Sequence, residues 1–341
     1  MSTEQATKHD NSPRFTLGTP SVESWFLRAN DPNSPRAVWI KATVLSDEDG
    51  TCVAESWASL FDGERTAAAR ETVPLAQAEV EDRAGRVLTD IAGARIELNA
   101  DGGTATGSIE SDQGKLAWDL TFRRESGPLG APLSLLPTRR LIDAPIPKNK
   151  LLTPFPVASF SGTVTWDGVQ WQISDWLGMQ GHNWGAAHSP EYAWGQCIFA
   201  DEQGRAFAVL EGASGRVQLG PVTTPLISLL TLRRGEQEYR FDRLIDLWRQ
   251  DPPLEFPNWR LRMRGPGGRA ELIMRGDAER MVCLGYDNPN GQRSHCLNSK
   301  TAEVTVRVNP TNGDGFECHS DFGGALEFLQ PAEHPAVQPV V

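Results

Sequence analysis

The chain has 341 residues, with 33 Lys and Arg against 44 Asp and Glu, for a formal net charge of −11. That length suits about two domains, each with its own core, and the negative balance argues against nucleic acid as a partner, since phosphate-backbone affinity comes from clustered Lys and Arg. No apolar run approaches the ~20 residues of a membrane span, and five scattered cysteines with no Cys-x-x-Cys pair read as free thiols in a reducing cytoplasm.

Met1–Arg14 is polar, lacks the basic-then-apolar pattern of a signal peptide, and reads as a disordered leader. From Ser21 the chain alternates with period two, as half-buried strands do. Strands are expected at Glu23–Arg28, Ala37–Leu45 and Cys52–Phe61, the last two joined at Asp49-Gly50. Thr66–Gly85 is rich in Ala and Glu and is expected to hold the one early helix, interrupted at Pro74. Short strands follow at Arg95–Leu98, Thr104–Glu110 and Lys115–Phe122. The proline-rich stretch Glu125–Pro156 reads as a long connection wrapping a first β-domain.

A hairpin is then expected from Phe160–Trp166 and Gln170–Ser174 around Asp167-Gly168. Further strands read at Ala193–Ala200, Ala206–Glu211, Val217–Leu219, Leu229–Arg233 and Glu238–Phe241. Trp259–Arg264, Ala270–Arg275, Arg280–Leu284, Ala302–Val308 and Gly324–Leu329 complete the series. No βαβ alternation appears. The fold class is therefore all-β and antiparallel, as two barrels in tandem with little helix.

Eleven tryptophans against three tyrosines are the outlier of the composition. They either fill sheet interiors or line a ligand cavity. The densest unusual segment is Ser174–Ala187, where His182, Asn183 and Trp184 stand between Gly181 and Gly185. Glycine there permits positive φ or close approach, and three N–H-bearing side chains in a row need partners if buried. A hydrogen-bonded structural corner and a ligand site both satisfy that pattern. His182 and His188 lie six apart, with no carboxylate at ligand spacing, so no metal is expected. No dinucleotide fingerprint is present, so no cofactor is expected either. Cys318-His319-Ser320-Asp321 has the ingredients of a thiol site, but strand neighbours point to opposite faces. Arg139-Arg140 and Arg233-Arg234 either meet an anionic ligand head or are paired surface arginines.

The string Gly181-His182-Asn183-Trp184-Gly185 resembles the hallmark of the AttH-like and carotenoid-hydratase-like (hydroxyneurosporene synthase-like) proteins; tocopherol cyclase carries a related element. The resemblance extends to Trp25–Leu27 with Asn30-Asp31-Pro32, to Cys296–Ser299, and to His319–Phe328. It implies two lipocalin-like barrels, here drawn at residues 15–188 and 189–331, followed by a tail at 332–341. It also implies work on long isoprenoids, by hydration of an alkene or by ring closure. Related lipocalin-like proteins catalyse intramolecular cycloadditions in polyketide pathways. Carotenoid hydratases place a Tyr and then an acid about 27 and 29 residues after the motif's His. Those offsets fall here on Val209 and Glu211, so the acid is kept and the Tyr is absent.

Glu211 also stands alone in the apolar strand Phe207–Gly212. If it faces a cavity, burial raises its pKa and lets it hold a proton near neutrality; at a strand end it is simply an exposed carboxylate. His182 and Glu211 are thus the candidate catalytic residues, and Trp176, Asn183, Trp184 and Trp194 the candidate substrate-binding ones. Tryptophan faces in a dry site stabilise a cationic intermediate. The expected function is cofactor-free acid–base hydration, cyclisation or isomerisation of an apolar isoprenoid- or polyketide-like molecule. A non-catalytic carrier of a hydrophobic ligand is the alternative. No nucleic acid or membrane span is expected, the location is cytoplasmic, and the oligomeric state is open.

Overall fold

Strands run almost throughout the computed structural model, which describes residues 10–142, 144, 148–216, 218–219, 222–243 and 254–341. Most of the expected leader and Val217 lie outside the described residues. The first sheet comprises β1 (Ser21–Asn30), β2 (Ala37–Ser46), β3 (Cys52–Phe61), β4 (Thr66–Pro74), β5 (Glu79–Arg83), β6 (Arg86–Ile91), β7 (Ala94–Leu98), β8 (Gly102–Ser111), β9 (Gly114–Arg124), β10 (Asn149–Trp166) and β11 (Val169–Gly185). These eleven strands pair in the order β4-β3-β2-β1-β11-β10-β9-β8-β7-β6-β5.

The second half opens with β12 (Tyr192–Ala200) and β13 (Ala206–Gly215), then a small ribbon of β14 (Gln218–Leu219) and β15 (Val222–Thr223). It continues with β16 (Ile227–Arg234), β17 (Gln237–Phe241), β18 (Leu254–Glu255), β19 (Asn258–Gly265), β20 (Gly268–Arg275), β21 (Val282–Asp287), β22 (Arg293–Pro310) and β23 (Phe316–Gln330). The second sheet pairs as β17-β16-β13-β12-β23-β22-β20-β19-β18, with β21 added on β22. Each sheet curls so that an edge strand packs back across it, β4 on β8 and β17 on β19. The architecture is all-β, with two tandem antiparallel barrels.

Three expectations need correction. Thr66–Gly85 is not helical: β4, a 3-10 turn at Leu75–Gln77 and β5 occupy it. Ala67, Ala68 and Ala69 are buried on the ladder with β3, and that tertiary pairing overrides the weak helical preference of alanine. The proline-rich connection ends earlier than Pro156, because β10 begins at Asn149. Pro154 and Pro156 sit at two of the three register shifts of β10 against β11, where a missing N–H is tolerated. Residues 181–185 form no corner. They lie in mid-sheet on β11, paired with β1 on one side and β10 on the other. The expected hairpin at Asp167-Gly168 is present, with both residues at positive φ (48° and 79°), as a two-residue primed turn requires.

The core has three layers. Trp25, Trp118, Trp166, Trp171 and Trp176 pack inside the first barrel. Phe199, Trp259, Leu272 and Met274 pack inside the second. Between the sheets lie Phe26, Trp39, Trp57 and Met179 from one side and Trp194, Leu284, Tyr286 and Cys296 from the other. β1 is consequently buried on both faces from Val22 to Asn30. Its polar residues tie the sheets together. Arg28 donates to the Gly323 carbonyl at 2.9 Å and to the Gln196 side chain, and Asn30 donates to the Lys300 carbonyl at 2.7 Å.

Candidate functional site

A cavity of about 670 Å³ opens in this middle layer, within the ~300–1,000 Å³ range of small-molecule sites. Phe26, Trp39 and Leu151 line it from the first sheet, and Trp194, Leu229 and Tyr286 from the second. Leu135 and Leu136, from the connection before β10, cover part of it.

Its polar groups include Lys41, Tyr192, His188 and Glu327. Lys41, on β2, is buried, and its ammonium lies 3.8 Å from the Tyr286 ring centroid, 5.2 Å from Trp57 and 5.8 Å from Trp39. Burial pulls its pKa down to about 8, against the opposing pull of Glu55, Cys296 and Glu327. The Tyr192 hydroxyl is 3.5 Å from Oε2 of Glu327, and burial raises its pKa well above the usual tyrosine value. Glu327 also accepts from Lys300 at 2.5 Å and from Asn298 at 3.2 Å.

His188 stacks on Tyr286 and sits 3.1 Å from Oδ1 of Asn288. Nδ2 of Asn288 donates to Gln292 and Ser294, so Oδ1 is the acceptor and His188 Nδ1 carries the proton. Burial, then the charge of Lys41, lower the His188 pKa to about 4. It is a neutral base at physiological pH. The arrangement sets proton donors and a base within an aromatic and aliphatic wall, where unscreened electrostatics act strongly.

The expected site residues divide between the two faces of the sheets. Asn183 and Trp194 line the cavity. His182 does not, because side chains alternate along β11. It points into the first barrel, fully buried, with Nδ1 2.7 Å from the Asp10 carbonyl and Nε2 2.7 Å from Glu23. Trp176 packs in the same barrel, and Trp184 lies against His182 with ring centroids 4.6 Å apart. Glu211 is buried on the inter-sheet face of β13, where Thr153 Oγ1 lies 2.9 Å from it and Trp194 Nε1 3.1 Å. It meets the cavity through Trp194, and no contact joins it to His182. Burial pushes its carboxyl up to about 7, against those two hydrogen bonds.

Among the described residues no group of three His, Cys, Asp or Glu converges on one point. His319 bonds Asp321 at 3.0 Å on an exposed face while Cys318 is buried on the other, as strand parity requires. Arg233 is engaged by Glu238 and by the Pro128 and Ala131 carbonyls, and Arg140 is exposed; the Arg139 side chain lies outside the described ones.

Lys41, Tyr192, His188 and Glu327 were absent from the expected set. A signal existed for two of them. Lys41 is the one charge in Ala37–Leu45 and Glu327 the one charge in Gly323–Leu329, the same pattern that singles out Glu211. Tyr192 and His188 carry no such mark.

The glycines of the motif act by close approach. A Cβ on Gly181 would stand 2.2 Å from Cζ of Phe26, whose ring lies across it and forms cavity wall. Gly181→Ala is therefore expected to cost about 1–3 kcal/mol as overpacking, read as a lower urea midpoint at unchanged slope. A wild-type midpoint would place the Phe26 ring elsewhere.

No family model matches the chain. Two uncharacterized proteins of Mycobacterium tuberculosis, from strains CDC 1551 and H37Rv, are 22% identical over 302 residues, covering 87% of this chain and 84% of theirs. Among solved structures, CghA with Sch210972 superposes at a TM-score of 0.62, with 11% identity and 95% and 96% of the two chains covered. The AttH-like protein NE1406 of Nitrosomonas europaea follows at 0.56, with 12% identity and 94% and 97% coverage. Kievitone hydratase of Nectria haematococca gives 0.53, with 10% identity and 92% and 90% coverage. The chain has the two-barrel fold of these proteins.

Proposed function

We propose that this protein takes an apolar isoprenoid- or polyketide-like molecule into the cavity between its sheets and performs acid–base chemistry on it. The reaction class is hydration, cyclisation or isomerisation, with no cofactor. One observation carries the reading: a cavity of about 670 Å³ walled by Phe26, Trp39, Trp194 and Leu229 has Lys41, Tyr192 and His188 on the same wall. A ligand oxygen there accepts from the Lys41 ammonium, which fixes the molecule with its reacting carbons beside Tyr192 and His188. Tyr192 then delivers or receives a proton beside Glu327, and His188 takes one from water or from an acidic C–H. Positioned acid–base groups of this kind contribute about 10²–10⁴-fold in rate. Asn183 and Trp194 bind; Glu211 holds the Trp194 indole from behind; His182, Trp176 and Trp184 support the wall from the far face of β11. Kievitone hydratase, which shares the fold, lends the hydration reading its plausibility as chemistry.

A carrier role is favoured by one observation, the separation of His182 from Glu211 on opposite sides of the first sheet. Five unpaired cysteines, four of them buried, support a reducing, cytoplasmic setting, and no helix among the described residues is long and apolar enough to cross a membrane.

The test is native mass spectrometry of protein purified from its own host. A retained apolar small molecule is expected, and supplying that molecule or its dehydrated or open-chain precursor should give turnover that Tyr192→Phe slows at least tenfold. Binding without turnover in any such pair leaves the carrier; a protein that retains and binds no apolar molecule overturns both readings.

A further inference from the structure

The cavity wall contains an imbalance of charge. Arg216 is paired with Glu191 at 2.9 Å, Arg293 with Asp287 at 2.7 Å, and Lys300 with Glu327 at 2.5 Å. Lys150 donates to the Ala144 carbonyl, and Lys148 is exposed to solvent. Lys41 is different. It is buried, no hydrogen bond or ion pair joins its ammonium to another described residue, and that ammonium lies over the rings of Tyr286, Trp57 and Trp39 beside the cavity.

The nearby carboxylates are already engaged. Glu55 lies 3.5 Å from Arg70 and accepts from Thr72, and Glu327 is held by Lys300 and Asn298. Asp287 is shared between Arg70 and Arg293. Lys41 is therefore left without a carboxylate of its own: Glu55 and Glu327 act on it at a distance, and each is already paired with another cation. Ring faces stabilise an ammonium's charge but supply no lone pair for its N–H groups. A buried charge without a counter-charge is costly. Trp39, in the same wall, likewise has an indole N–H with no acceptor.

Resting on the reading of this cavity as a ligand site, we infer that its ligand is an amphipathic acid. The apolar body lies against Phe26, Trp194 and Leu229, and one anionic oxygen head, a carboxylate in the simplest case, seats on Lys41. The head supplies both the missing acceptor and the missing counter-charge. The same wall rejects a cationic head, which would meet an unneutralised ammonium.

The test uses the full chain at pH 7 and the neutral apolar fluorophore N-phenyl-1-naphthylamine, with hexadecanoate and hexadecanol as competitors of equal chain length. Hexadecanoate is expected to displace the fluorophore at a concentration about 10–100-fold lower than hexadecanol, the worth of one desolvated charge-assisted contact. In Lys41→Met that ratio should fall to within about twofold, and Lys41→Arg should restore most of it. Equal competition by acid and alcohol in the wild type overturns the inference while leaving the cavity a ligand site, and that comparison needs no variant to fold. A preference that survives in Lys41→Met also overturns it. Failure of the fluorophore to bind the wild type sinks the ligand-cavity reading itself.

Discussion

Replacing His182 with alanine is expected to destabilise the protein by about 3–5 kcal/mol, the cost of taking one partner out of a fully buried His–Glu pair. The ring is fully buried, stacked on Trp25 at 5.0 Å between centroids with 12° between planes. Its removal takes a hydrogen bond from the Glu23 carboxyl, which is itself fully buried. That carboxyl would keep the backbone N–H groups of Arg14 and Phe15, at 2.8 Å and 2.6 Å. The Asp10 carbonyl would lose its bond to the ring as well. Around this point the chain from Asp10 to Phe15 is latched over the first barrel. Asn11 and Gln180 exchange two side-chain hydrogen bonds at 3.0 Å and 2.8 Å, and Trp25 Nε1 donates to the Asn11 carbonyl at 2.9 Å. Urea denaturation of the full chain measures the loss, and amide exchange at residues 11–15 should speed up in parallel. A variant with nearly wild-type stability but no turnover would return His182 to the chemistry.

Glu211→Gln is expected to do the reverse of a usual core substitution and stabilise the protein above neutral pH. The folded-state pKa of Glu211 is raised from 4.5 to about 7 by burial. Between those two values the unfolded chain has lost its proton while the folded one keeps it, so stability falls as pH rises. The contribution is fully present below about pH 4.5 and gone above about pH 7. It amounts to about 3 kcal/mol in all, since each tenfold weakening of an acid corresponds to about 1.4 kcal/mol. Glutamine keeps the two hydrogen bonds from Thr153 and Trp194, since its oxygen accepts both. Its amide also finds an acceptor in Thr231, which lies directly opposite on β16 with its hydroxyl unpartnered. Thermal midpoints of both proteins should therefore coincide near pH 5 and separate by pH 8, with the variant higher. A wild type whose midpoint does not fall between those pH values, relative to the variant, would show Glu211 ionised in the fold throughout.

These two residues also show what can be read from a chain of this kind. Glu211 was legible because a lone carboxylate in an apolar strand must be explained by burial or by exposure, and Lys41 and Glu327 carry the same mark. His182 was legible as a residue needing partners, since a histidine between Gly181 and Asn183 on a buried strand cannot leave its nitrogens bare. What the pattern misassigned was the direction in which it faces.

The all-β, antiparallel class, most strand positions and the Asp167-Gly168 turn are legible in the residues alone. Period-two alternation and turn chemistry are local properties, written within a few residues of where they act. The helix expected at 66–85 failed for the complementary reason: alanine preference is weak, and the β3 strand that pairs with this segment lies outside it. Which face of each strand meets which layer is a matter of packing over long distances in the chain. β1 is buried on both sides and the His182 stretch of β11 likewise, one side inside the first barrel and the other against the second sheet. Alternation then says that His182 and Asn183 diverge, but not which of them enters the cavity. That choice was made by how the two barrels pack, which turns Asn183, Lys41 and Trp194 toward one another and leaves His182 behind the wall.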